Sequence, residues 1–120
     1  MKSLFAIVAP GLGIDPRIPR ALEFLRDHSK EHVTLAQVAE HAHLSPSRLE
    51  HLLATQTGKT FSAHLKKFRL NEAEALLADW SLHIRQIAFH CGYESVPSFT
   101  RAFKRRYRLS PSLYRLSRFG

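Results

Sequence analysis

Apolar residues recur every three to four positions along most of this chain, and almost nothing alternates with period two. Ile18, Ala21, Leu22 and Leu25 make one stripe at helical spacing. Phe61, Leu65, Phe68, Leu70, Ala73, Leu76 and Leu77 make the longest, over residues 60–79. The polar punctuation agrees. Asp15-Pro16 suits an N-cap with a first-turn proline, although Pro19 delays the start in one reading. Thr34 and Gln37 have the spacing of a capping box, and Ser45-Pro46 and Ser110-Pro111 are N-caps with proline at the first helical position. Gly58 closes one segment, Gly92 breaks another, and Pro97 falls in a first turn. The pattern predicts an all-α fold of about seven helices and no sheet.

The chain also repeats itself. At an offset of 49, Leu35 falls on Ile84, Gln37 on Gln86, Val38 on Ile87, Ala39 on Ala88, Ala42 on Cys91 and Leu44 on Tyr93. The offset then becomes 50, with Ser45 on Ser95, Leu49 on Phe99, Leu53 on Phe103 and Thr60 on Ser110. Each copy reads as helix, short turn, helix. A small residue lets the helices cross closely, a residue in the left-handed region makes the turn, and the second helix keeps an exposed face. Gly92 suits that turn, whereas His43 at the matching place bears a steric cost. The repeat predicts two helix-turn-helix subdomains, at about 34–57 and 82–108, joined by a linker helix over about 60–79. Twenty residues at about 1.5 Å rise span roughly 30 Å, close to the roughly 34 Å between successive major grooves on one face of a duplex. Residues 15–120 form the folded part in this reading, and 1–14 a linker or the start of a cut chain.

Charge adds a partner. Eighteen Lys and Arg against ten Asp and Glu give a net +8, and residues 80–120 hold +7 of it, with Glu94 their one acidic residue. That balance favours a polyanion. A single cysteine excludes a disulfide framework and any zinc site built on two cysteines. No apolar run reaches the roughly 18 residues of a membrane span, so no membrane partner is expected.

Ser45-Pro-Ser-Arg-Leu49 followed by Gly58 opens a set of familiar motifs. It continues in His90-Cys-Gly-Tyr-Glu-Ser95, Phe99-Thr-Arg-Ala-Phe103-Lys and Leu109-Ser-Pro111 with Tyr114-Arg115. Together they resemble the DNA-binding domain of the AraC/XylS family of transcriptional regulators, over about Asp15 to Arg118. The resemblance implies a homeodomain-like pair of helix-turn-helix subdomains in successive major grooves of double-stranded DNA, and contact with RNA polymerase. It also implies a bacterial cytoplasmic setting. Most members carry a further effector-binding or dimerisation domain on the N-terminal side. The present chain is expected to be monomeric, and a longer protein to dimerise through that domain.

A helix lying in the major groove offers its N-terminal turns to base edges. In the first copy the outward positions are Ser47, Arg48, Glu50 and His51, which match the family's reading positions. Arg48 suits a guanine, Glu50 a cytosine amino group, and His51 a guanine acceptor or phosphate. Glu50 has an alternative as part of a solvated helix face, because phosphates repel a carboxylate. In the second copy Val96, Pro97, Ser98 and Arg101 match. The first two offer only apolar contact, so Arg101 is expected to carry most discrimination there. Thr100, Lys104, Arg105 and Arg108 are placed for phosphates, and the helix starts at Thr34, Ser45 and Ser110 add backbone N–H groups. The expected division of labour has the near-neutral first copy discriminating and the basic second segment anchoring.

Other chemistry fits less well. His28 and His32, and His41, His43 and His51, lack the partners of a metal site, and no metal or cofactor is expected. Cys91 occupies a core position matched by Ala42. Asp79, Ser81 and His83 hold the residue types of a triad but cluster at one helix junction, with Trp80 as a plug, so no enzyme is expected. RNA binding favours exposed aromatics, whereas Phe24, Phe61, Phe68, Phe89, Phe99 and Phe103 all fall on core-facing positions here. The alternative is a helical protein-interaction module with only non-specific nucleic-acid binding. Residues 4–9 are the one apolar run left over for self-association.

Overall fold

The computed structural model describes residues 13–120, and the apolar run at 4–9 lies outside them. Among the described residues there are seven helices and no strand: α1 (Arg17–Asp27), α2 (Leu35–His41), α3 (Pro46–Thr57), α4 (Phe61–Leu76), α5 (Ile84–His90), α6 (Val96–Tyr107) and α7 (Pro111–Phe119). They form two compact units. The first holds Val33–His64 with the described residues up to Asp27. The second holds His28–His32 and Leu65–Gly120.

In the first unit α1, α2 and α3 pack on one another over Ile18, Ala21, Leu22, Leu25, Val38, Ala39, Ala42, Leu49, Leu52 and Leu53, all buried. The start of α1 is set by Asp15, whose Oδ1 accepts from the Arg17 N–H at 2.9 Å while its carboxylate pairs with the Arg17 guanidinium at 2.7 Å. The Arg17 hydrogen bonds hold the Asp15 carboxyl down at about 2. The capping box of α2 is formed: Thr34 Oγ1 accepts from the Gln37 N–H at 3.2 Å, and Gln37 Oε1 accepts from the Thr34 N–H at 2.9 Å.

The second unit packs α5, α6 and α7 around Leu70, Ala73, Leu77, Ile87, Ala88, Cys91, Phe99, Phe103 and Tyr114. Its core is aromatic. The Phe99 and Phe103 rings lie 5.7 Å apart, and Tyr114 meets Phe103 edge-on at 5.3 Å. Burial pushes the Cys91 thiol up to about 12, as befits a core thiol rather than a nucleophile.

Both turns share one hydrogen-bond scheme. Leu44 N–H donates to Ala39 O at 2.8 Å, and Tyr93 N–H to Ala88 O at 3.1 Å. His43 at φ 59° and Gly92 at φ 98° make the bend. A Cβ at Gly92 would meet Arg69 Nε at 2.9 Å and Ser29 O at 3.0 Å, so this position excludes a side chain on two counts.

Three expectations are corrected. The linker helix ends at Leu76 rather than 79, so its 16 residues span about 24 Å instead of 30 Å. Beyond it, Asp79 Oδ1 accepts from both the N–H and the hydroxyl of Ser81, closing a tight turn that stops the helix. Trp80 is no plug but 51% exposed; its Nε1 donates to Phe119 O at 3.0 Å, and the Arg115 guanidinium lies over its ring. Phe89 is 43% exposed, because Ile87, Ala88 and Cys91 already define the buried side of α5. It carries the Arg85 guanidinium 5.4 Å from its ring centroid.

Candidate nucleic-acid interface

The recognition helix of the first copy is α3. Ser45 Oγ accepts from the Arg48 N–H at 3.1 Å, fixing the first turn. Leu49, Leu52 and Leu53 are buried, which leaves Ser47, Arg48 and His51 on the exposed side. Arg48 makes no close salt bridge among the described residues, though its charge helps to lower the Asp15 pKa. Glu50 stands apart from these three. It is half-buried, and its Oε1 accepts from the Phe61 N–H at the start of α4 at 3.0 Å.

The second recognition helix, α6, starts the same way, with Ser95 Oγ accepting from the Ser98 N–H at 3.2 Å. Pro97 and Arg101 are exposed, and Ser98 and Thr100 half-buried. Val96 is half-buried and packs against the core of the second unit. Lys104, Arg105 and Arg108 are exposed near the end of α6, and Arg101, Lys104 and Arg105 pair with no acid among the described residues. Arg108 itself takes the left-handed conformation at φ 71° and closes the helix, its N–H donating to Lys104 O at 2.8 Å.

At the three helix starts expected to offer backbone N–H groups to phosphates, the cap hydroxyl accepts from within its own first turn: Thr34 from Gln37, Ser45 from Arg48, and Ser110 from the Leu113 N–H at 3.3 Å. His28 Nδ1 faces Glu31 at 3.3 Å, His32 faces Glu94 at 3.8 Å, and His41 stacks on Phe24. No cluster of three or more metal-ligating groups occurs among the described residues. Nor is any helix among them long and apolar enough to cross a membrane.

Two cations of the basic third turn out to be structural, which the sequence pattern missed. Arg115 is buried and donates to Leu77 O at 3.0 Å and Asp79 O at 3.1 Å, satisfying carbonyls at the end of α4. Arg106 donates to Asn71 Oδ1 at 2.7 Å and Lys67 O at 3.2 Å. Glu74 was missed as well: it accepts from the hydroxyls of both Tyr107 and Tyr114. Burial, more than Glu74, pushes the Tyr107 phenol up to about 12.

Two capped recognition helices with exposed cations, each behind the same turn, match a known family. A helix-turn-helix domain model matches residues 38–117. The chain is 32% identical over 101 residues to the xylose operon regulatory protein of Escherichia coli strain K12, covering 84% of this chain and 26% of that protein. It is 33% identical over 103 residues to the arabinose operon regulatory protein of Salmonella typhimurium, covering 85% and 37%. The chain belongs to the AraC/XylS family. Structures agree with this AraC/XylS assignment. The C-terminal domain of AraT, a response regulator from Geobacillus stearothermophilus, superposes with a TM-score of 0.83 at 32% identity, covering 90% of each chain. An AraC-type DNA-binding domain-containing transcriptional regulator from Chromobacterium violaceum gives 0.81 at 27%, covering 86% of this chain and 92% of that one. As an AraC/XylS domain the chain is a sequence-specific DNA-binding domain of a transcription regulator. It spans between about a quarter and two-fifths of the length of the curated relatives it matches.

Proposed function

We propose that this domain reads two segments of one duplex, with α3 and α6 in successive major grooves. The observation that carries this reading is the duplicated motif: in each copy a serine caps the second helix and an arginine stands exposed on its first turns, Arg48 in one and Arg101 in the other. Arg48, with Ser47 and His51, reads the first segment. Arg101 reads the second, with Ser98 and Pro97 beside it, and a guanidinium matches the two acceptors of guanine. Lys104, Arg105, Arg108 and Thr100 hold phosphates, which supply affinity without sequence information. The first copy discriminates and the basic third anchors.

The domain acts on bacterial DNA in the cytoplasm as a single copy, contacts RNA polymerase in addition, and carries no catalytic chemistry. Asp79 supports the last point, being engaged in its own turn with Ser81.

The test is titration of a duplex selected from a random pool against scrambled DNA at two salt concentrations. The reading requires a large preference that survives added salt. Equal, steeply salt-dependent binding to both would leave only a basic surface and refute it.

A further inference from the structure

We infer that Glu50 is a positioning residue that fixes the first turn of α4, and that it reads no base. The inference rests on the reading above, in which α3 enters a major groove, and removes from that groove a carboxylate standing among its readers.

The first turn of a helix has N–H groups without intrahelical partners. At α4, Thr60 Oγ1 satisfies only one, the Ala63 N–H at 3.1 Å. The first turn of α4 contains no acidic residue of its own. Glu50, reaching from the middle of α3, accepts from the Phe61 N–H at 3.0 Å and sets a negative charge at the positive end of that helix. A half-buried carboxylate committed in this way is also held away from phosphates that would repel it.

The second copy supplies the internal control. Continuing the offset of 50, Phe61 falls on Pro111 and Glu50 on Thr100. Pro111 begins α7 and has no N–H to satisfy, and the position matching Glu50 carries no acid. Where the first helical residue has a free donor, a carboxylate stands eleven residues earlier; where it has none, the carboxylate is gone. A base-reading carboxylate would have no reason to follow the presence of that donor.

Glu50→Gln and Glu50→Ala separate the two roles. Glutamine keeps an acceptor for Phe61, but in the groove it would exchange a preference for cytosine for one for adenine. Two readouts apply, at a temperature where both variants are folded: base preference in selected duplexes, and hydrogen exchange of the Phe61 amide. In Glu50→Ala the Phe61 amide should exchange about tenfold faster and affinity for the selected duplex fall about threefold, with every base preference unchanged. Glu50→Gln should restore both. A changed preference at any base in Glu50→Gln overturns the inference, as does unchanged Phe61 exchange or affinity in Glu50→Ala. If the wild-type domain itself shows no preference over scrambled DNA, the two-groove reading fails, and the exchange experiment still judges the Phe61 contact by itself.

Discussion

The two helix-turn-helix copies solve the same backbone problem with their residues exchanged. Each needs a left-handed residue twice, once in the turn and once at the end of its recognition helix. The first copy places His43 in the turn and Gly58 at the end, at φ 59° and 74°. The second places Gly92 in the turn and Arg108 at the end, at φ 98° and 71°. Gly58 has open space around a Cβ, whereas Gly92 is pressed by Arg69 and Ser29. Glycine is thus obligatory in one turn for want of room, and elsewhere the choice costs only backbone strain. The contacts that follow also differ in kind. His64 Nε2 lies 2.7 Å from Thr57 Oγ1 in the first copy. The corresponding positions of the second, Tyr114 and Tyr107, are rings 5.2 Å apart bound to one carboxylate. The first copy is aliphatic and lightly charged. The second is aromatic and basic, and it uses two of its arginines to hold itself together. A duplicated motif keeps its backbone while its side chains diverge.

The comparison breaks most visibly in the cores. Phe99→Ala should cost about 4 kcal/mol and its counterpart Leu49→Ala about 3 kcal/mol in urea unfolding, since the larger ring leaves the larger cavity. Equal losses would mean that the aromatic core confers no extra stability. Next comes Arg115→Ala, which strands the carbonyls of Leu77 and Asp79 and should cost about 2 kcal/mol. The first copy has Leu65 at this position and no such clamp to lose. If salt alone abolished the effect, Arg115 would be an ordinary surface charge.

The turns give opposite signs at matched positions. His43→Gly should gain about 1 kcal/mol by relieving left-handed strain, while Gly92→Ala should lose more than that, through strain and the Arg69 clash together. Thermal unfolding of the two variants checks both signs, and a stabilised Gly92→Ala would refute the account of the turn. The smallest effect is that of Cys91. Its folded pKa of about 12 lies above the ordinary thiol value of about 8.5. Burial therefore favours the neutral form, and this contribution is complete below about pH 8.5 and lost as pH rises from there toward 12. At pH 8 the thiol should resist a disulfide reagent in the folded protein and react in urea.

Much of this was legible in the sequence because it is local. Thr34 with Gln37, the serine caps, the two turns and the buried stripe of α3 each depend on residues within a few positions of one another. What escaped is non-local. Arg115 meets Leu77 and Asp79 across 38 and 36 positions, and Tyr114 meets Glu74 across 40. Nothing in helical periodicity announces such contacts. Periodicity alone makes Trp80 a plug and Phe89 a core residue, whereas both rings are exposed and each carries a guanidinium over it. Val96, whose place in the motif suggests base reading, is half-buried and also packs against the core of its unit. Leu113 and Leu116 on α7 are 55% and 60% exposed, an apolar surface that the sequence pattern did not announce.

The most direct test of a two-groove domain is duplex selection repeated on Arg48→Ala and Arg101→Ala. The wild type should select two short motifs about one helical turn apart, roughly 10 base pairs. Each variant should then lose the preference in one motif only, by about 1–3 kcal/mol of discrimination, and keep the other. A single selected motif, or two variants that weaken all sequences alike, would contradict the account.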